Sequence, residues 1–298
     1  MSEMNHSLRQ DGRRPPYETL LRCPICAEPF RLEGRSLICP RRHCFDLSWH
    51  GAVHLLGRPH LTKYDKRLFE ARRRICLSGF YEPLSDAIVE AVAGIRPFGA
   101  SPIRLLDAGC GEGYHLARIA AGLRQAFSTE TIGAGVDIAK EGVALAAKAY
   151  PDMLWCVGDI AQCPFRDGRF DIVLNILSPS NYREFARMLK DGGAVVKVVP
   201  EAGYLQELRE VLSVKPDSGG YSNERTIRLF ASSFPLAERV RVRYTVPLKP
   251  SLLEPLIAMT PLTWGVSEAS RSGALKKGLS AITVDLSILI GRKTRQRS

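Results

Sequence analysis

Three glycines, each two residues from the next, follow an acidic residue and could form a binding turn for a small ligand. The run reads D-A-G-C-G-E-G over residues 107–113. Glycine has no Cβ, so Gly109 and Gly111 can adopt positive φ angles and let the backbone approach a ligand closely. The run has neither the G-K-S/T ending of a phosphate-binding P-loop nor the G-x-G-x-x-G spacing of dinucleotide-binding proteins. A carboxylate at Asp107 would repel a pyrophosphate, so the turn favours a cationic or hydroxyl-bearing ligand.

Two further acidic residues end apolar runs downstream of this turn. Asp137 follows T-I-G-A-G-V about one βαβ unit later, and Asp159 follows M-L-W-C-V-G. In such folds an acid at the end of the second strand binds ribose hydroxyls. Taken singly, each acid could equally be a solvated strand end, and a glycine turn could be a packing device. Their combination predicts a binding site for a ligand that contains a nucleoside.

A second group of residues with metal-binding chemistry lies near the amino terminus. Cys23 and Cys26 form a C-x2-C pair, and Cys39 is followed by His43 and Cys44. Two such pairs, a hairpin's length apart, can complete a tetrahedron around zinc, and four protein ligands make a zinc site structural. The fourth ligand is either His43 or Cys44, because adjacent residues cannot easily both coordinate. Disulfides are a weaker explanation for cysteines clustered in this way in a reducing compartment.

Alternating strands and helices are predicted to position the glycine turn and the acids. Apolar residues predict a strand at 103–106 before the turn, and apolar residues at helical spacing continue to 123 after it. The same alternation from residue 102 onward predicts an α/β fold with a doubly wound, mostly parallel sheet. The segment 175–181 includes the end of the fourth predicted strand and the residues after it, at the edge where such sheets bind ligands. No residue in this segment is compelling as a base, so no catalytic residue is predicted.

Composition restricts the classes of partner. The chain has 298 residues, of which 45% are hydrophobic, enough for one large domain and one small one. Its net charge of +11 favours a partner with a phosphate backbone, although a basic soluble protein without one is the plain alternative. No apolar run reaches about 18 residues and the amino terminus is polar. We therefore expect a cytoplasmic protein with no membrane partner.

The predicted organisation has four parts. Residues 1–17 are predicted as a disordered arm, 18–60 as a zinc-binding module, 61–100 as a basic helical linker and 101–298 as the ligand-binding domain. In the linker, basic residues alternate with aromatic residues such as Tyr64, which is typical of an RNA contact strip or of a solvated helix face. Residues 238–248 alternate strictly, which predicts a strand with one basic and one apolar face.

The three acidic motifs, D-A-G-C-G-E-G, then V-D, then G-D, together resemble the class I methyltransferases that use S-adenosyl-L-methionine (SAM). The resemblance implies a Rossmann-like fold with a seven-stranded sheet. It implies that the turn lies against the methionine part of SAM, that Asp137 accepts the ribose hydroxyls and that Asp159 lies near the adenine amine. The turn residues assigned to SAM on this basis are Asp107, Gly109, Gly111 and Glu112.

A more specific resemblance extends over nearly the whole chain. The motifs C-P-x-C, I-C-P-x-x-H-x-F-D, F-Y-E-P-L and M-T-P-x-x-W are similar to those of the bacterial 23S ribosomal RNA (guanine-N1-)-methyltransferase family. This resemblance implies that Tyr81 contacts SAM and places Tyr204 where some members have a SAM-contacting histidine. It leaves Cys44 without a role. The zinc ligands that it implies are Cys23, Cys26, Cys39 and His43.

The resemblance implies methyl transfer from SAM to N1 of a guanine in a hairpin of 23S rRNA. Within the family, members from antibiotic producers confer macrolide resistance. Two alternatives stay open: a SAM-dependent small-molecule methyltransferase with a purely structural zinc site, and an rRNA-binding factor without catalysis. A homodimer is also left open.

Overall fold

The computed structural model describes residues 16–57, 64–94, 102–212, 222–234, 238–260 and 263–294. The predicted arm lies outside these ranges except for its last two residues. Tyr17, assigned to that arm, instead begins the helix α1 (Tyr17–Leu20) and is buried. Among the described helices, none has the length and apolar character needed to cross a membrane.

A small antiparallel sheet carries the cysteine-rich segment. Its strands are β1 (Arg31–Glu33), β2 (Ser36–Ile38) and β3 (Cys44–Asp46), in the order β1-β2-β3. Leu37 pairs with Phe45 across β2 and β3, and its side chain is fully buried. These short strands bring the two pairs of predicted metal ligands to one end of a hairpin.

A second sheet of eight strands forms the centre of the molecule, in the order β10-β11-β9-β8-β5-β6-β7-β4. The six strands from β9 to β4 are parallel, whereas β11 is antiparallel to β9 and to β10. The predicted Rossmann-like fold is confirmed, and β4 adds an eighth strand to the expected seven. The strands are β4 (Val53–His54), β5 (Ile103–Ala108), β6 (Thr131–Asp137), β7 (Leu154–Val157), β8 (Phe170–Ile176), β9 (Leu189–Pro200), β10 (Glu238–Pro247) and β11 (Ala281–Arg292).

Nine further α-helices follow α1 in the described residues. Two of them precede β5, and the others connect or follow the strands of this sheet. The predicted helical linker contains α2 and α3, and the Asp65 carboxylate caps α2 by accepting the Leu68 N–H at 2.9 Å. The helices are α2 (Lys66–Leu77), α3 (Glu82–Gly94), α4 (Tyr114–Phe127), α5 (Lys140–Ala149), α6 (Tyr182–Met188), α7 (Gln206–Val211), α8 (Glu224–Ser233), α9 (Pro250–Met259) and α10 (Glu268–Lys277).

The small module and the large sheet share backbone hydrogen bonds and a core. β4 pairs in parallel with β7, and the Arg22 N–H donates to the Pro164 carbonyl at 2.9 Å. Leu20 belongs to the same apolar cluster as Phe165, beside the sheet. The segment predicted as a separate module is therefore packed onto the edge of the sheet.

The predicted basic face of β10 is largely neutralised within the protein. Arg239 forms an ion pair with Glu201 at 2.6 Å, and Arg241 forms one with Asp285 at 2.8 Å. Because these guanidinium groups already have carboxylate partners, β10 is a weaker candidate for an RNA contact than its sequence indicates.

We predict that Leu20→Ala lowers the stability of the whole protein and not only that of the module. Leu20 is fully buried in the shared core, so the expected loss is about 2–5 kcal/mol of unfolding free energy. Urea unfolding monitored by tryptophan fluorescence measures it. Leu77→Ala is the matched control, because 60% of the Leu77 surface is exposed. Separate unfolding of the module, with the second transition unchanged, would contradict the shared core.

Candidate cofactor cleft and metal centre

The glycine turn joins β5 to α4 in a conformation that requires glycine. Gly109 and Gly111 have φ angles of +90° and +52°. A Cβ on Gly109 would collide with the Ser178 side chain, whose own Cβ would lie 2.6 Å away. The turn therefore lies directly against the segment that follows β8, and the close approach of its backbone to a ligand stays a prediction.

Asp137 holds the turn from the end of β6. Its Oδ2 accepts the Gly111 N–H at 2.9 Å, and its Oδ1 accepts the Ala139 N–H at 2.9 Å. Burial raises the pKa of Asp137, and these backbone donors oppose the rise. The carboxylate thus links the first turn to the start of the next helix, while the residue also faces the cleft.

A cleft of about 910 Å³ opens over the carboxyl ends of the parallel strands. Such a volume is at the upper end of the range of roughly 300–1,000 Å³ that small-molecule sites occupy. The structure brings six of the eight predicted cofactor residues together around it. They are Tyr81, Gly109, Gly111, Asp137, Asp159 and Tyr204.

Asp159 and the two tyrosines lie at different parts of this cleft. Asp159 follows β7 and caps a single 3-10 turn, where its Oδ1 accepts the Ala161 N–H at 2.8 Å. Tyr81 and Tyr204 share a hydrogen bond of 2.6 Å between their hydroxyl groups. Burial raises the pKa of Tyr204 to about 12, so this hydroxyl stays protonated at neutral pH.

Glu112 is turned away from the cleft and forms an ion pair with Arg72. The Arg72 Nε and Glu112 Oε2 atoms lie 3.0 Å apart, although they are not aligned as a hydrogen bond. The Cys76 thiol donates to the other carboxylate oxygen at 3.5 Å. Burial alone would lower the pKa of Arg72, but the attraction of Glu112, added to that of Cys76 and of the two cleft tyrosines, outweighs this and raises it. Arg72 itself lines the cleft, so α2 provides a cationic residue that the turn motif did not predict.

Asp107 is a buried acid with an unused acceptor. Its Oδ1 has no hydrogen-bond partner among the described residues, and the residue is 2% exposed. Burial raises the pKa of Asp107 to about 7, Arg72 opposes the rise, and Asp137 adds to it. A cationic ligand group in the neighbouring turn would satisfy this carboxylate, which fits the ammonium of a methionine moiety.

Polar residues on the other side of the turn were missed or left unassigned by the sequence. Asn175, the residue before the last of β8, donates its amide to the Ala108 carbonyl at 2.7 Å. Lys197 of β9 donates to the Asn175 side-chain oxygen at 2.7 Å. The only signal for Lys197 is a lysine inside the apolar run V-V-K-V-V. Tyr64 lines the outer cleft and packs against Trp264, with 5.4 Å between ring centroids.

The predicted metal ligands converge on one point. The ligand atoms of Cys23, Cys26, Cys39 and His43 all lie within 4.8 Å of one another. His43 Nδ1 is 3.4 Å from the sulfurs of Cys23 and of Cys39, and the sulfurs of Cys26 and Cys39 are 3.6 Å apart. Tetrahedral zinc at ordinary bond lengths separates such ligands by roughly 3.5–3.8 Å, so the four side chains fit it. Cys44 is exposed and lies outside the cluster.

Comparisons with known proteins agree with both sites. A family model described as "Methyltransferase domain" matches residues 105–193, and a zinc-ribbon model described as "RlmA, N-terminal" matches residues 21–60. A Bacillus subtilis (strain 168) protein, whose name assigns it to the 23S rRNA (guanine-N1-)-methyltransferases, is 43% identical over 279 residues. That alignment covers 92% of this chain and 98% of the relative. The chain belongs to this family.

Two further relatives are similar to this methyltransferase over almost the same length. The 23S rRNA (guanine(748)-N(1))-methyltransferase of Streptomyces fradiae is 32% identical, with 91% of this chain and 96% of the relative covered. A Micromonospora griseorubida protein with the family name is 29% identical, with the same coverage. The methyltransferase therefore uses SAM, and its cysteine-rich segment is a zinc ribbon.

We predict that Cys26→Ser removes zinc from this methyltransferase whereas Cys44→Ser retains it. Of these two cysteines, only Cys26 is within coordinating distance of the other ligands. Metal content of the purified proteins, measured by atomic emission, tests this. His43→Ala completes the set, because zinc retained in His43→Ala and lost from Cys44→Ser would make Cys44 the fourth ligand.

We also predict a pH dependence of stability that is specific to Asp107. Its pKa rises from 3.8 to about 7 on folding, so the folded state binds more protons than the unfolded state between these values. Stability from this group is therefore present at pH 4 and is lost as pH rises to 7, by at most about 4 kcal/mol.

Asp107→Asn should remove that loss, because the amide does not titrate. The measurement is the unfolding free energy of the ligand-free protein from pH 4 to 7, compared with the wild type. Asp152→Asn, at an exposed position, is the matched control. Parallel curves for Asp107→Asn and the wild type would show that Asp107 is ionised in both states.

Proposed function

We propose that this protein transfers a methyl group from SAM to N1 of a guanine in a hairpin of 23S rRNA. Full-length similarity to relatives that are named for this reaction supports the proposal. The observation that carries it is the cleft itself, which is lined by the glycine turn, by the segment after β8 and by the partly exposed Tyr64. A cleft of about 910 Å³ has room for the donor and a nucleobase together.

The residues around the turn are proposed to hold SAM in three parts. Asp107 and the backbone of Gly109 and Gly111 receive the methionine moiety, because this is where an acid lacks a partner. Asp137 is proposed to accept the ribose hydroxyls, and Asp159 the adenine amine. When bound, SAM supplies an activated methyl on a sulfonium. The protein must then align the nucleophile and exclude water from the reacting atoms.

Tyr81, Tyr204 and Glu112 are given supporting roles in this proposal. The hydrogen-bonded tyrosines form one wall of the cleft. Glu112 fixes Arg72, which reaches the cleft in place of the carboxylate. This replaces the direct contact between Glu112 and SAM that the turn motif implies.

RNA contacts are proposed for the zinc ribbon and not for the arginine run of α2. Trp49 exposes 75% of its surface, and the Arg35 guanidinium lies 5.7 Å from its ring centroid. An exposed ring beside a cation suits stacking on an unpaired base. In α2, by contrast, Arg72 pairs with Glu112, Arg73 lies over Tyr150 and Arg74 donates to the Ser251 carbonyl.

In this proposal the three predicted parts 18–60, 61–100 and 101–298 have different roles. The ribbon would select the hairpin, the helices α2 and α3 would cover the cofactor, and the sheet edge would carry the chemistry. A small molecule as acceptor would leave the exposed Trp49 and Arg35 pair without a purpose.

We predict that the wild-type protein produces N1-methylguanosine in a 23S rRNA transcript. Mass spectrometry of nucleosides after incubation with labelled SAM detects the product, and a primer-extension stop locates the nucleotide, because N1 lies on the base-pairing edge. Gly109→Ala should abolish the product and weaken SAM binding at least tenfold, since its Cβ meets Ser178.

Gly273→Ala is the control for Gly109→Ala, since a Cβ there meets nothing within 4 Å. SAM binding without transfer to RNA would favour a small-molecule acceptor. RNA binding without methylation or SAM binding would favour a non-catalytic factor.

A further inference from the structure

Lys197 is a buried lysine in the middle of β9, within a run of valines. It is 5% exposed, yet it lines the cleft. A buried ammonium is costly unless an opposite charge or several strong acceptors compensate. A lysine at such a position is therefore a candidate for a function in the cleft.

The partners of Lys197 are neutral oxygens. Its Nζ donates to the Asn175 side-chain oxygen at 2.7 Å and to the Ser178 carbonyl. Across the sheet it pairs with Asn175 on β8 and with Leu289 on β11. Within the described residues it forms no ion pair, so no carboxylate stabilises its charged form.

The neutral amine suits this arrangement better than the ammonium. A neutral lysine has two N–H groups and one lone pair, and the two oxygens accept both N–H groups. Burial lowers the pKa of Lys197 to about 8, so roughly one tenth of the amine is unprotonated at pH 7 and about half at pH 8. The lone pair is then the one unused site on the nitrogen.

Hydrogen bonds place this amine next to the glycine turn. Asn175 connects the two, because its amide nitrogen donates to the Ala108 carbonyl at 2.7 Å and to the Pro179 carbonyl at 2.9 Å. Ser180 donates its hydroxyl to the same Asn175 oxygen at 2.8 Å. Lys197 is thus one side chain away from the turn and holds the loop that packs against Gly109.

We propose that Lys197 is a catalytic residue that accepts the N1 proton of the target guanine. The inference rests on the proposed function, because only an acceptor that carries a proton on its nucleophilic nitrogen needs such a base. Guanine N1 is protonated at neutral pH, and its electron pair becomes available for attack when that proton leaves.

The step conserves atoms, electrons and charge. The Lys197 nitrogen takes the N1 proton, N1 forms a bond to the methyl carbon, and the carbon–sulfur bond breaks with its electron pair remaining on sulfur. One positive charge is lost at the sulfonium and one is gained at Lys197. After the products leave, the ammonium releases its proton to water through the open cleft.

Other titratable groups of the cleft are less suitable for this role. Tyr204 has its pKa raised to about 12, and its hydroxyl is bonded to Tyr81. Asp137 is held by the backbone of the turn. Glu201, four residues after Lys197, is paired with Arg239 and accepts the Ser287 hydroxyl. Tyr182 begins α6 beside Ser180, and burial raises its pKa.

Single-turnover methyl transfer to the rRNA hairpin, measured from pH 6 to 9.5, tests the proposal with three substitutions. Lys197→Ala should lower the rate by about 10²–10⁴-fold near neutral pH while SAM binding is retained. Added methylamine or ethylamine should restore part of the rate, since a small amine can take the vacant place. Lys190→Gln, on the same strand but paired with Asp171 at the surface, should match the wild type.

Lys197→Arg separates a chemical role from a structural one. Arginine keeps the charge and the donors to Asn175 and Ser178, but it does not release a proton in this pH range. The proposal is supported if Lys197→Arg loses rate and if the wild-type rate reaches a plateau above pH 8. Both Lys197 variants should lack this plateau.

Two results would overturn it. One is wild-type activity in Lys197→Arg with an unchanged pH profile. The other is an Ala variant that binds SAM but is not rescued by amines, which would make Lys197 a positioning residue. Absence of N1-methylguanosine with the wild-type protein would instead refute the proposed function.

Discussion

The carboxylate of Asp137 determines the geometry of the ligand-binding edge. It accepts backbone N–H groups from the turn after β5 and from the start of α5, each at 2.9 Å. Both donors belong to segments that leave the sheet at its carboxyl edge, and a single side chain fixes their separation. The positive φ angles of Gly109 and Gly111 are maintained in this way. The position of Ser178 follows, because it packs directly against Gly109.

Charge is distributed unevenly around this turn. Three acids (Asp107, Glu112 and Asp137) surround it, and Arg72 from α2 is the cation that lies among them. On the opposite side of Ala108, Asn175 and Lys197 form a network with hydroxyl and carbonyl partners. A cationic donor is therefore favoured at the acidic end of the cleft. The neutral network borders the place where an acceptor would bind.

Much of the fold and of the metal site follows from local sequence patterns. Glycine spacing, strand-end acids and the C-x2-C pair are short-range signals, and the structure brings their residues together as expected. The chain could not reveal that β4 joins the large sheet, because its pairing with β7 joins segments far apart in the sequence. Nor could it reveal that Glu112 is directed toward Arg72, since that contact joins residues forty positions apart in sequence.

The role of the basic segments was predicted least well. The sequence shows where positive charges lie, but it does not show which groups of the protein pair with them. The arginines at 72–74 and on β10 are conspicuous in the sequence, yet each of those described above has a partner within the protein. Lys197 is the opposite case. A single lysine among valines does not stand out in the sequence. The tertiary structure shows that this lysine is buried, and its burial is what points to a role.

The position of β4 has a consequence for solubility. A parallel sheet with an uncovered edge strand presents unpaired N–H and carbonyl groups that can recruit another chain. β4 occupies that edge beside β7, and β10 at the far edge carries charged side chains. The zinc ribbon therefore shields this edge of the sheet from association with other sheets. A truncated chain without the ribbon would be prone to aggregate even if every residue of the cleft were intact.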